Sequence, residues 1–161
     1  MKKWIVLVAC AAALLAVTGC VSRKVEDQPP VGSTQIANPW IDCDKAAVID
    51  ESGFAITVPD SIDGYDAPIY RVLPGQMIEV IYNKGSDEIR VRKAVGDADC
   101  SGDYNTYAAV EEQGAVTLKG AEKGQASLAL WSAADKAYSF SVSVSQPMSC
   151  EDLLALVESV G

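Results

Sequence analysis

The sequence predicts an α+β domain: a single antiparallel sheet of about six or seven strands, with a short N-terminal helix and a C-terminal helix packed on one face. Three observations predict it. Tyr138, Phe140, Val142 and Val144 alternate with Ser139, Ser141, Ser143 and Ser145, the period of a strand with one buried face. Turn chemistry recurs between apolar runs, at Pro74-Gly75, Asn83-Lys84-Gly85, Gln113-Gly114 and GAEKG at 120–124. Such short links join antiparallel neighbours, because a parallel crossover needs a dozen or more residues. Helical spacing is confined to the two ends of the domain.

The chain begins MKKWIVLVACAAALLAVTGC. Lys2 and Lys3 precede an apolar run from Trp4 to Val17. A spanning helix needs about 20 apolar residues, so this run is short for a span and has the flanks of a signal peptide. Val17-Thr18-Gly19-Cys20 at its end resembles the lipobox of bacterial lipoproteins. That resemblance implies cleavage before Cys20, with residues 1–19 as the leader, and a diacylglycerol on the Cys20 thiol. Two acyl chains suffice for stable anchoring. The expected address is a cell membrane, on the side facing away from the cytoplasm, or the periplasm or outer membrane where the cell has one.

Residues 20–37 include VSRKVEDQPPVGSTQIA, which is polar, carries Pro29-Pro30 and shows no apolar period. They read as a flexible, lipid-anchored tether. The globular domain is expected over 38–161, a usual size for one core.

Within it, Asp42 or Asp44 can cap a short helix through KAAVIDES, and Gly53 can end it in a left-handed conformation. Met77 to Tyr82 is a continuous apolar run and reads as a central strand. Ile89 and Val91 alternate with Arg90 and Arg92; Val116–Leu118 and Leu128–Trp131 supply two more strands. Ser149, with Asp152 three residues on, begins the last helix, whose stripe is Leu153, Leu156, Val157 and Val160. The face bearing Ser139, Ser141, Ser143, Arg90 and Arg92 is expected to meet solvent and is a candidate contact surface.

Charge and composition narrow the function. Losing Lys2 and Lys3 with the leader, and no acid, takes the net charge from −9 to −11. No basic stripe exists, so nucleic acid is not an expected partner. The chain has no histidine, which removes Ser-His-Asp triads, Cys-His pairs and histidine-bound zinc. Two carboxylates suffice for glycoside hydrolysis, but 22 acids make that feature too common to point anywhere.

The stretch DADCSGDYN resembles half of a calcium loop. Asp97, Asp99 and Ser101 take positions 1, 3 and 5 of an EF-hand-type loop, with Gly102 at 6, Asp103 at 7 and Asn105 at 9. Ala108 stands where a bidentate glutamate belongs. Two readings follow: a weak calcium site on Asp97, Asp99, Ser101 and Asp103, or the Asp/Ser/Gly chemistry of a tight turn. Trp40, Trp131 and the tyrosines at 65, 70, 82, 104, 107 and 138 offer a sugar-stacking platform in principle, but several fall within strand patterns that assign them to packing.

The order of segments is itself informative. NPWIDC at 38–43, GFAITVPD at 53–60, MIEVIY at 77–82, RVRKAVG at 90–96 and SGDYN at 101–105 are followed by VTLKG at 116–120, LALW at 128–131, AYSFSVS at 137–143 and MSCEDLLALVESV at 148–160. Together they resemble a family of small bacterial lipoproteins and secreted proteins, common in Gram-positive anaerobes, whose domain has no assigned function. The resemblance covers nearly the whole domain and implies an α+β fold and an extracytoplasmic address, with no catalytic residue. Cys100 and Cys150 depart from its pattern. Cys43, Cys100 and Cys150 allow one disulfide in three pairings. The shared departure favours Cys100–Cys150, and a reducing setting would leave three thiols.

The expected function is a non-enzymatic, membrane-anchored lipoprotein with a binding or scaffold domain, its protein or envelope-glycan partner unidentified and its cofactor none unless calcium. The alternatives are a carboxylate-based envelope hydrolase and a sensor subunit of a membrane signalling system.

Overall fold

The described residues in the computed structural model run from 38 to 161. The expected leader at 1–19, Cys20 and the rest of the expected tether to residue 37 lie outside them.

Asn38 to Trp40 lead into a short edge strand, β1 (Ile41–Cys43). A single 3₁₀ turn (Lys45–Ala47) and helix α1 (Val48–Ser52) follow. Asp44 stands before the 3₁₀ turn but makes no side-chain cap. Gly53 ends α1 at φ 85°, the left-handed stop that its position suggests. Three hairpin-linked strands come next: β2 (Ile69–Leu73), β3 (Met77–Lys84) and β4 (Asp87–Val95). The second half contains β5 (Ala109–Gln113), β6 (Val116–Gly120), β7 (Gln125–Ser132), β8 (Tyr138–Ser149) and helix α2 (Cys150–Glu158).

The fold is α+β with one sheet, and every pairing is antiparallel. The sheet has eight strands in the order β1-β2-β3-β4-β8-β7-β6-β5, rather than six or seven. The strands without a sequence assignment are interior β2 and two edge elements with little apolar period. β1 has three residues, and β5 reads AVEEQ.

Two four-stranded meanders therefore meet along β4 and β8, with Val91 opposite Val142 and Ile89 opposite Val144. The core lies on the face that bears these side chains. Val72, Ile78, Val80, Tyr82 and Val142 are fully buried there, and Leu153 and Val157 of α2 complete it. Helix α1 packs on β2 and β3, and α2 packs on β7 and β8. The Ser149 hydroxyl accepts from the Asp152 amide at 3.1 Å, which satisfies one orphan donor of α2. Thr57 and Gly161 exchange two backbone hydrogen bonds, tying the segment after α1 to the end of α2.

The opposite face is not open to water throughout. Because β4 lies beside β8 while β5 is at the far edge, the segment 96–108 must pass β8, β7 and β6. That is roughly 19 Å at about 4.8 Å per strand. It crosses as a strap over the serine-bearing face. Ser139 and Ser141 are consequently buried, at 3% and 2% exposure, against the expectation that this face meets solvent. Leu128, on the same face, is fully buried.

Candidate functional site

A row of cross-strand neighbours runs along this second face: Arg71, Glu79, Arg92, Ser141, Leu130 and Thr117. Glu79 sits within the apolar run of β3, and its side chain is fully buried. Burying an ionised carboxylate without partners is costly, and arginines on both flanking strands supply the partners. Arg71 Nε donates to Glu79 Oε1 at 2.9 Å, and its Nη2 donates to the same oxygen. Arg92 Nε donates to Oε2 at 2.7 Å, with its Nη2 also at 2.7 Å. Arg90 approaches Oε2 at 3.5 Å and pairs with Glu88 at 2.7 Å. Trp40 lies against the Arg71 and Arg92 guanidiniums, at 5.0 and 5.9 Å from its ring centroid, a cation–π arrangement.

Arg92 links this cluster to the strap. Its Nη1 donates to the Cys100 carbonyl at 3.2 Å and to the Ser101 carbonyl. Gly102 follows at φ 66°, and a Cβ there would stand 2.6 Å from that same Nη1. Glycine is thus required both for the left-handed turn and for the close approach of the guanidinium. Glu79 is not singled out by the strand pattern. The available signal was a lone glutamate inside MIEVIY with Arg90 and Arg92 on the next strand.

The four residues of the calcium reading lie along the strap but do not converge. Asp99 Oδ1 accepts from the Ser101 amide at 2.8 Å and from its hydroxyl at 2.6 Å. Ser101 Oγ accepts from the Asp103 amide at 3.1 Å, and Asp103 Oδ1 accepts from the Asn105 amide at 2.7 Å. Each side chain caps the amide two residues on, the hydrogen bonding of successive Asx and Ser turns. Tyr107 donates its hydroxyl to Asp103 Oδ2, which holds the Asp103 carboxyl below its usual range. Burial, then that carboxylate, push the Tyr107 phenol up to about 12. Asp97 points elsewhere, 3.9 Å from Lys136 Nζ. Among the described residues no group of three or more carboxylates or thiols is arranged to hold a metal. Titration with millimolar calcium is expected to give no binding heat and an unchanged Tm; a saturable heat, or a rise in Tm, would contradict this geometry.

The expected Cys100–Cys150 bridge is not formed: Cys43, Cys100 and Cys150 are all free thiols. Cys100 lies under the strap with its Sγ 3.7 Å from Ser141 Oγ, and burial pushes its thiol up. Cys150 opens α2, with its Sγ 3.7 Å from Glu111 Oε1. The two thiols thus rest on different neighbours, and bonding them would require both to leave. Nor are the aromatic residues gathered into a platform. Tyr70 and Tyr82 are buried, Trp131 stacks on Phe140 at 5.1 Å, Trp40 faces arginines and Tyr104 stands exposed on the strap.

Beside the strap is a groove of about 450 Å³. Asp97 and Asp99 form the strap side. Thr117, Leu130, Ser132 and Ser139 contribute from β6, β7 and β8, and the β7–β8 turn adds Lys136. What the arrangement offers chemically is short oxygen-bearing side chains set among small apolar ones. No protein-family model, curated protein or solved structure matches this chain.

Proposed function

We propose that this chain is a lipid-anchored, extracytoplasmic protein whose domain binds or scaffolds a partner outside the cytoplasm and does not catalyse a reaction. The observation that carries the reading is Cys20, placed directly after a short apolar run in the sequence Val17-Thr18-Gly19-Cys20. A run of that length is short for a span, whereas two acyl chains on one thiol hold a protein stably at a bilayer. Among the described residues no helix is long and apolar enough to cross a membrane.

The disposition of the acids supports the non-enzymatic part. Glu79, the one fully buried acid among the described residues, has both oxygens occupied by guanidinium donors. The strap carboxylates of Asp99 and Asp103 are engaged in turns. The Glu79 oxygens and Oδ1 of Asp99 and Asp103 thus hold the fold together, with little capacity left for moving protons on a substrate. The motif order given above, resembling small bacterial lipoproteins, accords with the same reading.

Metabolic labelling with a palmitate analogue, followed by detergent phase partition, tests the anchor. The wild type is expected to carry the label and enter the detergent phase. The Cys20→Ser form is expected to lose the label and remain aqueous. An unlabelled wild type, or a Cys20→Ser form that partitions like the wild type, would refute it.

A further inference from the structure

We infer that Arg71 and Arg90, set on the two strands that flank the buried Glu79, bind a phosphate group carried by a small molecule or a lipid headgroup. This deepens the binding reading and rests on it.

Residues 38–161 contain three arginines, Arg71, Arg90 and Arg92, and all three reach the carboxylate of Glu79. Glu88, paired with Arg90, is the only other acid in an ion pair with them among the described residues. Three guanidiniums therefore face two carboxylates, and one positive charge is in surplus. Asp42 stands opposite Arg71 in register, but it is exposed and forms no ion pair there. The chain as a whole is acidic. The Debye length is about 8 Å at physiological salt, however, so the nearest charges decide what the cluster attracts.

The donors divide by role. Every nitrogen of Arg92 is committed: Nε and Nη2 to Glu79, and Nη1 to the strap carbonyls. Arg71 gives Nε and Nη2 to Glu79 Oε1. Arg90 turns Nη2 to Glu88 and keeps its Nε sealed inside the cluster. Nη1 of Arg71 and Nη1 of Arg90 remain. Neither makes a hydrogen bond among the described residues, and neither is buried, their side chains being 28% and 31% exposed.

The geometry selects the ligand class. Arg71 approaches Oε1 of Glu79 from β2, and Arg90 approaches Oε2 from β4. A flat carboxylate suits one guanidinium fork at a time, whereas the tetrahedral oxygens of a phosphate accept from two forks in different planes. Glu79 orders both arginines before a ligand arrives, and Trp40 lies against Arg71, so little freedom is left to lose on binding. Ile69 and Ile81 share a cross-strand row with Arg90 and set aliphatic side chains beside the site. Hydrogen bonds gain strength in such surroundings.

The test titrates the full lipidated chain, in neutral detergent micelles at fixed ionic strength, with sodium phosphate, glycerol 3-phosphate and sodium acetate. Amide and indole chemical shifts are followed. Saturable shifts are expected with both phosphates at Trp40, 69–72 and 88–92, with Kd on the order of 1–10 mM for so small a ligand. Doping the micelles with phosphatidylglycerol distinguishes the sources. The same shifts at a lower phosphate concentration assign the lipid headgroup, and their absence there assigns a soluble phosphate. Arg90→Gln is expected to raise Kd about tenfold, the scale of one hydrogen bond to a charged group. Glu88→Gln is expected to lower Kd roughly threefold, because it releases Arg90 Nη2 from a partly exposed ion pair. A folding defect would not tighten binding. No saturable shift at fixed ionic strength, equal affinity for acetate and phosphate, or an unchanged Kd in either variant would overturn the inference. Acyl labelling and detergent partition would be unaffected by any of these results, so the anchoring proposal stands or falls separately.

Discussion

Glu79→Ala is expected to lower the unfolding free energy by about 3–5 kcal/mol, the range for removing one partner of a buried ion pair. For a domain of this size that corresponds to a fall in Tm of roughly 10–20 °C. The reason is what remains. Arg71 and Arg92 flank Glu79 in direct register, with 28% and 12% of their side chains exposed. Without the carboxylate, two guanidiniums face each other with their donors unpaired. Arg71 is the better solvated and recovers some of the loss; Arg92 is enclosed and recovers less. Glu79→Ala should also loosen the strap, because Arg92 is held in place by Glu79 while it donates to the Cys100 and Ser101 carbonyls. Chemical denaturation gives the first quantity, and amide exchange across 99–105 reads the second. A loss below about 1 kcal/mol would mean that solvent screens the cluster as it screens surface pairs.

Gly120→Ala is the second large effect. A Cβ at Gly120 would lie 1.9 Å from the Gln125 carbonyl oxygen and 2.9 Å from its carbon. Both are backbone atoms of the adjoining strand, so no rotamer change relieves the clash. The β6–β7 hairpin must open or shift, next to the irregular register between Ala126 and Leu128. The expected cost is about 3 kcal/mol or more, at or beyond the upper end of ordinary overpacking. Gly124→Ala is the comparison. Gly124 has φ 79° and open space around it, so its cost is conformational only, about 1–2 kcal/mol. Equal losses in the two variants would show that the hairpin adapts and that steric contact at Gly120 does not control it.

The legible parts of the fold were those where a single physical signal dominates. β8 announces itself because serines alternate with large apolar residues over its whole central stretch. The cap at Ser149 and the Leu153–Val157 stripe of α2 were readable because helix ends and helix faces each have a local chemistry. β5 was not readable, since AVEEQ lies at an edge and has no second neighbour to demand an apolar face. The burial of Ser139 and Ser141 was hidden for a different reason. Serine is compatible with water and with a hydrogen-bonded interior, and only the route taken by 96–108 decides between them. Glu79 was obscured by its surroundings in sequence, because its counter-charges come from Arg71 and Arg92 on the two neighbouring strands. The calcium pattern was legible as residue types but not as directions: the same Asp and Ser spacing builds a chain of capped amides.

The seam between β4 and β8 joins halves that are remote along the chain, while β2 to β4 and β5 to β8 are each a run of simple hairpins. A protease cut within 96–108 would therefore sever no strand. The two products would each carry one bare strand edge, apolar on its core face only, shaped for the other. Mixed in solution they should reassociate without a covalent link, and either one alone should clump. The domain is in that sense a heterodimer written as one polypeptide.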